Sequence, residues 1–368
     1  MVFHCRCFSF PLEEEIDIDI EDPKTQTNST LTEPFYTAPS EFNKAMVEDL
    51  VDNVQSNLRV FTYAELEAAT NNFCEDSKIG EDGFGSVYKG VIKNPENPLD
   101  EENQVTIKYG ALKVNVLAVV EHPNIVKLIG YCREGCERGI YELLVYEYMP
   151  NKSVNHHLST KSGAPLSWAR RLKVAQDVAR ALTYLHEEME FQYIFEDFTS
   201  SNIFLDEHWN AKLSDFRVAP LGPSGELTHV STMTDETAGY TAPEHTFILT
   251  QKPSSNTWSF GVLLFELITG RPPLDRTLSK QQLVEWVKPF LGSRKFKKIL
   301  DPKLEGKYSL ESAKSLSFIA NRCLSRNPTL RPNMREILGK VNELIELPLQ
   351  ANNTAQGSKS MVRSRCCY

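Results

Sequence analysis

The sequence predicts an α+β protein in which a small antiparallel β lobe precedes a larger helical lobe. Between residues 78 and 149, short runs rich in Val, Ile and Tyr alternate with polar turns, the pattern of strands. From about residue 153 the apolar period changes to that of helices, and strands followed by helices form an α+β layout. At 368 residues and 41% hydrophobic, the chain can bury one large two-lobed core and still carry tails.

Residues 1–58 read as a disordered acidic tail. EEEIDIDIED puts seven carboxylates in ten residues, too little apolar surface to offset chain entropy. Residues 59–149 read as the small lobe and its hinge. FTYAELEAATNNF repeats Phe61, Leu66, Ala69 and Phe73 near helical spacing. SKIGEDGFGSVYKGVI then reads strand-turn-strand, and NPENPLDEEN is a polar loop before the strand QVTIKYGALKV. IVKLIGYC and YELLVYEYM are two further strands.

Residues 150–345 read as the helical lobe. SWARRLKVAQDVARALTYLHEE carries Trp168, Leu172, Ala175, Val178, Leu182 and Leu185 on one face. SSNTWSFGVLLFELITG, QQLVEWVKPFL, SLESAKSLSFIANRCLS and NMREILGKVNELIE complete the helices. Residues 346–368 read as a flexible tail.

A net charge of −9 argues against nucleic acid as a partner, because that needs a basic face. No apolar run is long enough to span a membrane, and FGVLLFELITG, which contains Glu266, reads as a buried core helix. The N-terminus lacks a signal-peptide plan, and Val2 rules out N-myristoylation. Cys132 and Cys136 lack a second pair at zinc spacing, so they read as reduced thiols. These features predict a cytoplasmic protein. Cys5, Cys7, Cys366 and Cys367 are candidates for palmitoylation, which would add peripheral association with the inner face of the plasma membrane.

The chemistry-bearing blocks come in a fixed order. IGEDGFGSVYKG lies between two strand-like runs, as a phosphate-covering glycine loop requires. VTIK ends at Lys108, then come HPNIVKLIGYC (122–132) and LLVYEYM (143–149). IFEDFTSSNIFLD (194–206), KLSDF (212–216), GYTAPE (239–244), SFGVLLFELITG (259–270) and LRP (330–332) follow. A glycine hairpin alone is a weak signal, but the eight blocks that follow it in this order make a strong one.

On these blocks the chain resembles the protein kinases, and among them the plant receptor-like cytoplasmic kinases of the immune-signalling subfamily. FTYAELEAATNNF, YEYMPNKSV, LTYLHEEM, NAKLSDF, LVEWVKPFL and DPKLEGKYS are near matches, covering roughly residues 60–345. The resemblance implies a two-lobed protein-kinase fold that uses ATP and Mg²⁺, with receptor kinases or other signalling proteins as partners. Gly80 and Gly85 would shape the nucleotide loop, Val87 would cover the adenine, and Lys108 would meet the α/β-phosphates. Tyr146 would be the gatekeeper, with Glu147 to Met149 forming the hinge. Asp197 would orient the substrate hydroxyl, and Asn202 and Asp215 would hold Mg²⁺. Thr237 would face substrate, while Glu244 and Arg331 would form a structural ion pair.

Departures from the family pattern concentrate on phosphate chemistry. Asp82 replaces the second loop glycine, and a carboxylate about 5 Å from a phosphate costs about 3 kcal/mol at an effective dielectric of about 20. Only YGAL separates Lys108 from KVNVLAVVEHPN, about one helical turn, so the helix bearing the lysine's glutamate partner has no room. Taking Lys113 as the strand lysine loses that helix equally. Glu196 replaces the Arg before Asp197, and Thr199 replaces the Lys two residues after it. Arg217 replaces the D-F-G glycine. Glu236 replaces a glycine, and Asn256 an Asp that organises the catalytic loop from below. The expectation is a catalytically impaired signalling protein, a pseudokinase. The alternatives are an active ATP-dependent serine/threonine kinase, supported by the survival of Lys108, Asp197, Asn202 and Asp215, and a nucleotide-binding fold without transfer.

Overall fold

The computed structural model describes residues 58–82, 85–93, 103–109, 120–136, 139–159, 165–190, 192–195, 197–214, 218–220, 239–246, 252–275 and 281–346. The tail cysteines, the 110–119 segment with Lys113, and Glu196, Asp215, Arg217, Glu236 and Thr237 lie outside these residues.

The small lobe is a six-stranded sheet. In chain order it contains β1 (Arg59–Val60), the helix α1 (Tyr63–Ala69), β2 (Lys78–Asp82), β3 (Gly85–Ile92), β4 (Asn103–Tyr109), β5 (Leu128–Cys136) and β6 (Gly139–Glu147). The spatial order is β1-β5-β6-β4-β3-β2, antiparallel except where β1 runs parallel to β5. Alternation along β4 sorts its side chains. Val105 and Ile107 join Phe61, Leu66, Cys132, Leu143 and Val145 in a core on one face, while Thr106 and Lys108 turn to the other.

The first face is closed by the strap formed from β1 and α1. Thr62 and Glu65 build a capping box that starts α1. Asn71, Asn72 and Phe73 then all take positive φ and reverse the chain. Asn tolerates that conformation better than other non-glycine residues, and Phe73 is held in it by an aromatic cluster with Tyr63, Tyr88 and Tyr109. Gly130 on β5 makes the close approach of the strap possible, because a Cβ there would stand 2.0 Å from the Arg59 carbonyl oxygen.

The large lobe contains α2 (Val154–Leu158), α3 (Trp168–Thr183), four short strands β7 (Tyr193–Phe195), β8 (Ile203–Leu205), β9 (Ala211–Leu213) and β10 (Val218–Pro220), then α4 (Pro253–Thr269), α5 (Leu283–Val287), α6 (Leu310–Cys323) and α7 (Met334–Glu346). Its core centres on α4, where every residue from Ser255 to Thr269 except Trp258 is buried. The sequence suggests one helix from 167 to 188, but α3 gives way to a π-helical turn at Tyr184–Glu188. That turn carries His186 into the interior, where its Nε2 lies 3.0 Å from Asn256 Oδ1. The expected helix over QQLVEWVKPFL is likewise short: α5 passes into a 3₁₀ turn at Lys288–Phe290 around Pro289, which supplies no N–H.

Buried polar anchors tie the large lobe together. Arg171, fully enclosed, donates to Asp301 Oδ2 at 2.6 Å and to the carbonyls of Leu166 and Leu267, both at 2.9 Å. The pair expected between Glu244 and Arg331 forms as a two-point bridge of 2.5 and 2.7 Å. In a third anchor, Glu266 on α4 accepts from the Tyr240 hydroxyl and from Ser200 Oγ, the latter at 3.1 Å.

Burial pushes the Glu266 carboxyl up to about 8. The folded chain therefore holds a proton that the unfolded chain releases. The stability this group contributes is intact below pH 4.5 and lost as pH rises through about 8. Burial pulls His186 down to about 4, so its contribution runs the other way, present above 6.5 and lost as pH falls through about 4.

Two outcomes follow from these contacts. Between pH 6.5 and 8 Glu266 is the one of this pair still titrating, so stability should fall by about 2 kcal/mol in denaturant titrations. Glu266→Gln should flatten that slope; a wild-type chain equally stable across the window would refute the buried proton. Gly130→Ala should cost about 1–3 kcal/mol, because the strap must shift off β5, and unchanged urea unfolding would show that the strap is not seated there.

Candidate functional site

The candidate cleft faces the sheet side opposite the strap. Directly paired residues in a sheet share a face, and one cross-strand row runs Gly80, Val87, Lys108, Leu144, Tyr131. Three of the expected nucleotide residues, Gly80, Val87 and Lys108, are thus brought together by strand register. A Cβ at Gly80 would meet nothing nearer than Val87 Cβ at 4.0 Å, so the face above it is open. Gly85 differs: its φ of +146° suits glycine, and a Cβ there would crowd Tyr109 at 3.3 Å. The backbone of Asp82 pairs with Gly85 across the tip of this hairpin.

At the end of β6 the Glu147 side chain takes a structural part. Its carboxylate accepts from the Lys127 backbone N–H at 2.8 Å and from Lys212 Nζ at 2.8 Å through both oxygens. This partly buried ion pair ties the hinge to β9 of the large lobe, so the hinge has only backbone groups of Glu147 to turn toward a ligand. Met149 follows, buried. The chain then returns to β8 through Asn151 N–H to Leu205 O and Leu205 N–H to Lys152 O.

The loop from Phe195 to Asn202 carries the other candidates, and its backbone is pinned at three points. Asn256 on α4 brackets the Phe195 peptide groups: Oδ1 accepts from the N–H at 2.9 Å and Nδ2 donates to the carbonyl at 2.7 Å. Ser200 N–H donates to the Tyr240 hydroxyl at 2.9 Å. Asn202 Nδ2 donates to the Asp197 carbonyl at 3.0 Å. Asn202 O in turn accepts from Ser214 N–H at 2.8 Å, which joins this loop to the end of β9 immediately before Asp215.

This arrangement corrects one expectation. Counting Asn256 among the lost parts is wrong, because a neutral amide offers both a donor and an acceptor to one residue's backbone. A carboxylate could accept the N–H but could not satisfy the carbonyl. Asn256 keeps the organising position and adds His186 to it.

Thr199 behaves differently. It is 4% exposed, and its hydroxyl is buried with no hydrogen-bond partner among the described residues. Among the described residues of this loop it is a buried polar side-chain atom without a partner, where such groups are ordinarily paired. The sequence reading missed the Ser200–Tyr240–Glu266 anchor, although a carboxylate inside the apolar run FGVLLFELITG was its signal. The Glu147–Lys212 tie between lobes left no sequence signal.

For ATP and Mg²⁺ the described residues fit in part. The Asn202 amide nitrogen is spent on Asp197, which leaves its oxygen as the hard donor that Mg²⁺ prefers. Among the described residues no group of three or more His, Cys, Asp or Glu side chains could hold a metal, and Asp215 lies outside them.

The family model for the protein kinase domain matches residues 73–341. The serine/threonine-protein kinase PCRK1 of Arabidopsis thaliana is 54% identical to this chain over 306 residues, 79% of this chain and 73% of that protein. PCRK2 of the same plant is 46% identical across 94% of this chain and 89% of its own length. A receptor-like cytoplasmic serine/threonine-protein kinase of Nicotiana benthamiana, described as EPD1-interacting, is 41% identical across 82% of this chain and 68% of its own. With a family model spanning both lobes and relatives this similar over most of their length, the chain belongs to the protein kinase family, among the receptor-like cytoplasmic serine/threonine kinases.

Proposed function

We propose that this kinase-fold protein is a signalling scaffold with impaired phosphoryl transfer, working by binding receptor kinases or other signalling proteins in plant receptor signalling. The observation that carries this is Thr199. Its uncharged hydroxyl, which has no hydrogen-bond partner among the described residues, stands at the position where the family resemblance implies a lysine ammonium. A hydroxyl brings no charge to a phosphoryl group in flight, and loss of one preorganised donor typically costs about 10²–10³ in rate. Asp82, Glu196 and Arg217 add bulk or negative charge to the same chemistry.

The retained parts support a nucleotide cleft. Lys108 and Val87 share its face, the backbone of Glu147 and Met149 would hold the adenine, and Gly80 and Gly85 would let the hairpin close over phosphates. Bound ATP would supply the transferable phosphoryl group, and Mg²⁺, held by Asn202 and Asp215, its countercharge. Asp197 would accept or orient the proton of an incoming hydroxyl. A second reading, an active serine/threonine kinase, is favoured by the pinned loop, in which Asn256, Ser200 and Asn202 hold the backbone around Asp197.

The two readings separate in one assay. Purified full-length chain with Mg²⁺-ATP should incorporate no more labelled phosphate than its Asp215→Ala variant, against about 1–100 s⁻¹ for working kinases. Incorporation that the variant abolishes would overturn the scaffold reading and establish the second. No helix among the described residues is long and apolar enough to cross a membrane. For the proposed plasma-membrane association, changing Cys5, Cys7, Cys366 and Cys367 together to Ser should move the protein from the membrane to the soluble fraction. Unchanged fractionation would discard acylation as the anchor.

A further inference from the structure

A groove of about 600 Å³ opens on the large lobe, lined by none of the residues of the 195–202 loop. Its floor is apolar, with Phe265, Val284 and Val287 buried beneath and Trp258, Leu291 and Leu324 half-buried at the mouth, while Thr241, Gln282 and Asn321 stand among its wall residues. Its volume falls within the range of ligand and peptide clefts.

The charge around the groove is one-sided. The two carboxylates that line it are already engaged, Glu244 by Arg331 and Glu285 by Lys288. Arg326, also lining it, is exposed and forms no ion pair with a described residue. The wall formed by Lys288 and Leu291 runs directly into the segment 293–298. There Phe296 is buried while Arg294, Lys295, Lys297 and Lys298 all face solvent without a carboxylate partner among the described residues. The next carboxylates along the chain are taken as well, Asp301 by Arg171 and Glu305 by Lys307. Arg326 at the groove, and Arg294, Lys295, Lys297 and Lys298 in the segment that continues its wall, thus have no carboxylate partner among the described residues, on a chain whose net charge is −9.

From this we infer that the groove and its basic flank form a docking surface for an acidic peptide segment of a partner protein, one that carries aliphatic residues as well as carboxylates. Aliphatic side chains would enter between Trp258, Leu291 and Leu324, giving the complex its apolar core. Carboxylates would run along Arg294 to Lys298 and Arg326, setting register and speeding encounter. Phosphate chemistry has no part in this, so the surface serves equally in a scaffold or in an active kinase.

The test uses the full-length chain and a fluorescein-labelled peptide of alternating Asp and Ile, read by fluorescence anisotropy. Arg294, Lys295, Lys297 and Lys298 changed together to Gln leave every described ion pair intact, so the variant should fold and melt as wild type. Peptide binding should weaken about tenfold or more in that variant, given a few tenths to 1 kcal/mol per exposed pair. It should also weaken in high salt. A matched peptide with Ser in place of Ile should bind at least about tenfold more weakly, through loss of buried apolar area. Failure of the Asp-Ile peptide to bind, or equal binding by the Gln variant, overturns the proposal. So does equal binding of the Ser peptide, since the groove would then be idle. Vesicles of phosphatidylserine and phosphatidylcholine form the competing arm. Binding to them that depends on the four cations, with no binding of the peptide, would assign the basic strip to a membrane and overturn the peptide assignment.

Discussion

The site depends on the attachment of one loop to one helix. α4 is almost wholly buried, and from it Asn256 and Glu266 reach the segment from Phe195 to Ser200 at two places ten residues apart along the helix. Both are polar groups inside an apolar helix, where an unmet hydrogen bond costs about 1–3 kcal/mol. That cost makes the attachment specific. The conformation that satisfies Asn256 and Glu266 carries Asp197 between the two anchored points and Asn202 just beyond them. Tyr240 enters the same network, so the segment opening GYTAPE is held to the same helix.

Rigidity of that kind says nothing about reactivity. Hydrogen bonds to backbone groups survive substitution of the side chains that do chemistry, because the backbone is the same whichever residue is present. The backbone around Thr199 is therefore held by Asn256, Tyr240 and Asn202 whichever side chains stand along the loop. Fold and chemistry have separate physical bases in this chain: apolar burial with backbone satisfaction for the first, placed charge for the second.

Much of this was legible in the residues. VTIKY alternates so strictly that the faces of β4, and with them the placement of Lys108, follow from a period of two. Glu244 and Arg331 were readable as a pair because each stands in a recognisable block. Asn256 was misread because comparison with an Asp records the lost charge and misses the gained donor. Only a neighbouring peptide with both an N–H and a C=O exposed makes the amide the fitting group. The π turn at Tyr184–Glu188 was invisible because a widened turn keeps the composition of an α-helix. Gly130 carried no signal either, since the strap that crowds it arrives from a segment about seventy residues earlier in the chain.

The strap has a practical meaning for anyone cutting this chain into pieces. The match to the protein kinase domain model begins at Phe73, yet Phe61 and Leu66 lie fully inside the small lobe, and β1 occupies the open edge of β5. A fragment trimmed at the family boundary would bare an apolar sheet face together with a row of unsatisfied amides, the combination that drives strands of different molecules to join. A piece of this chain that keeps that sheet face covered must therefore retain β1 and α1.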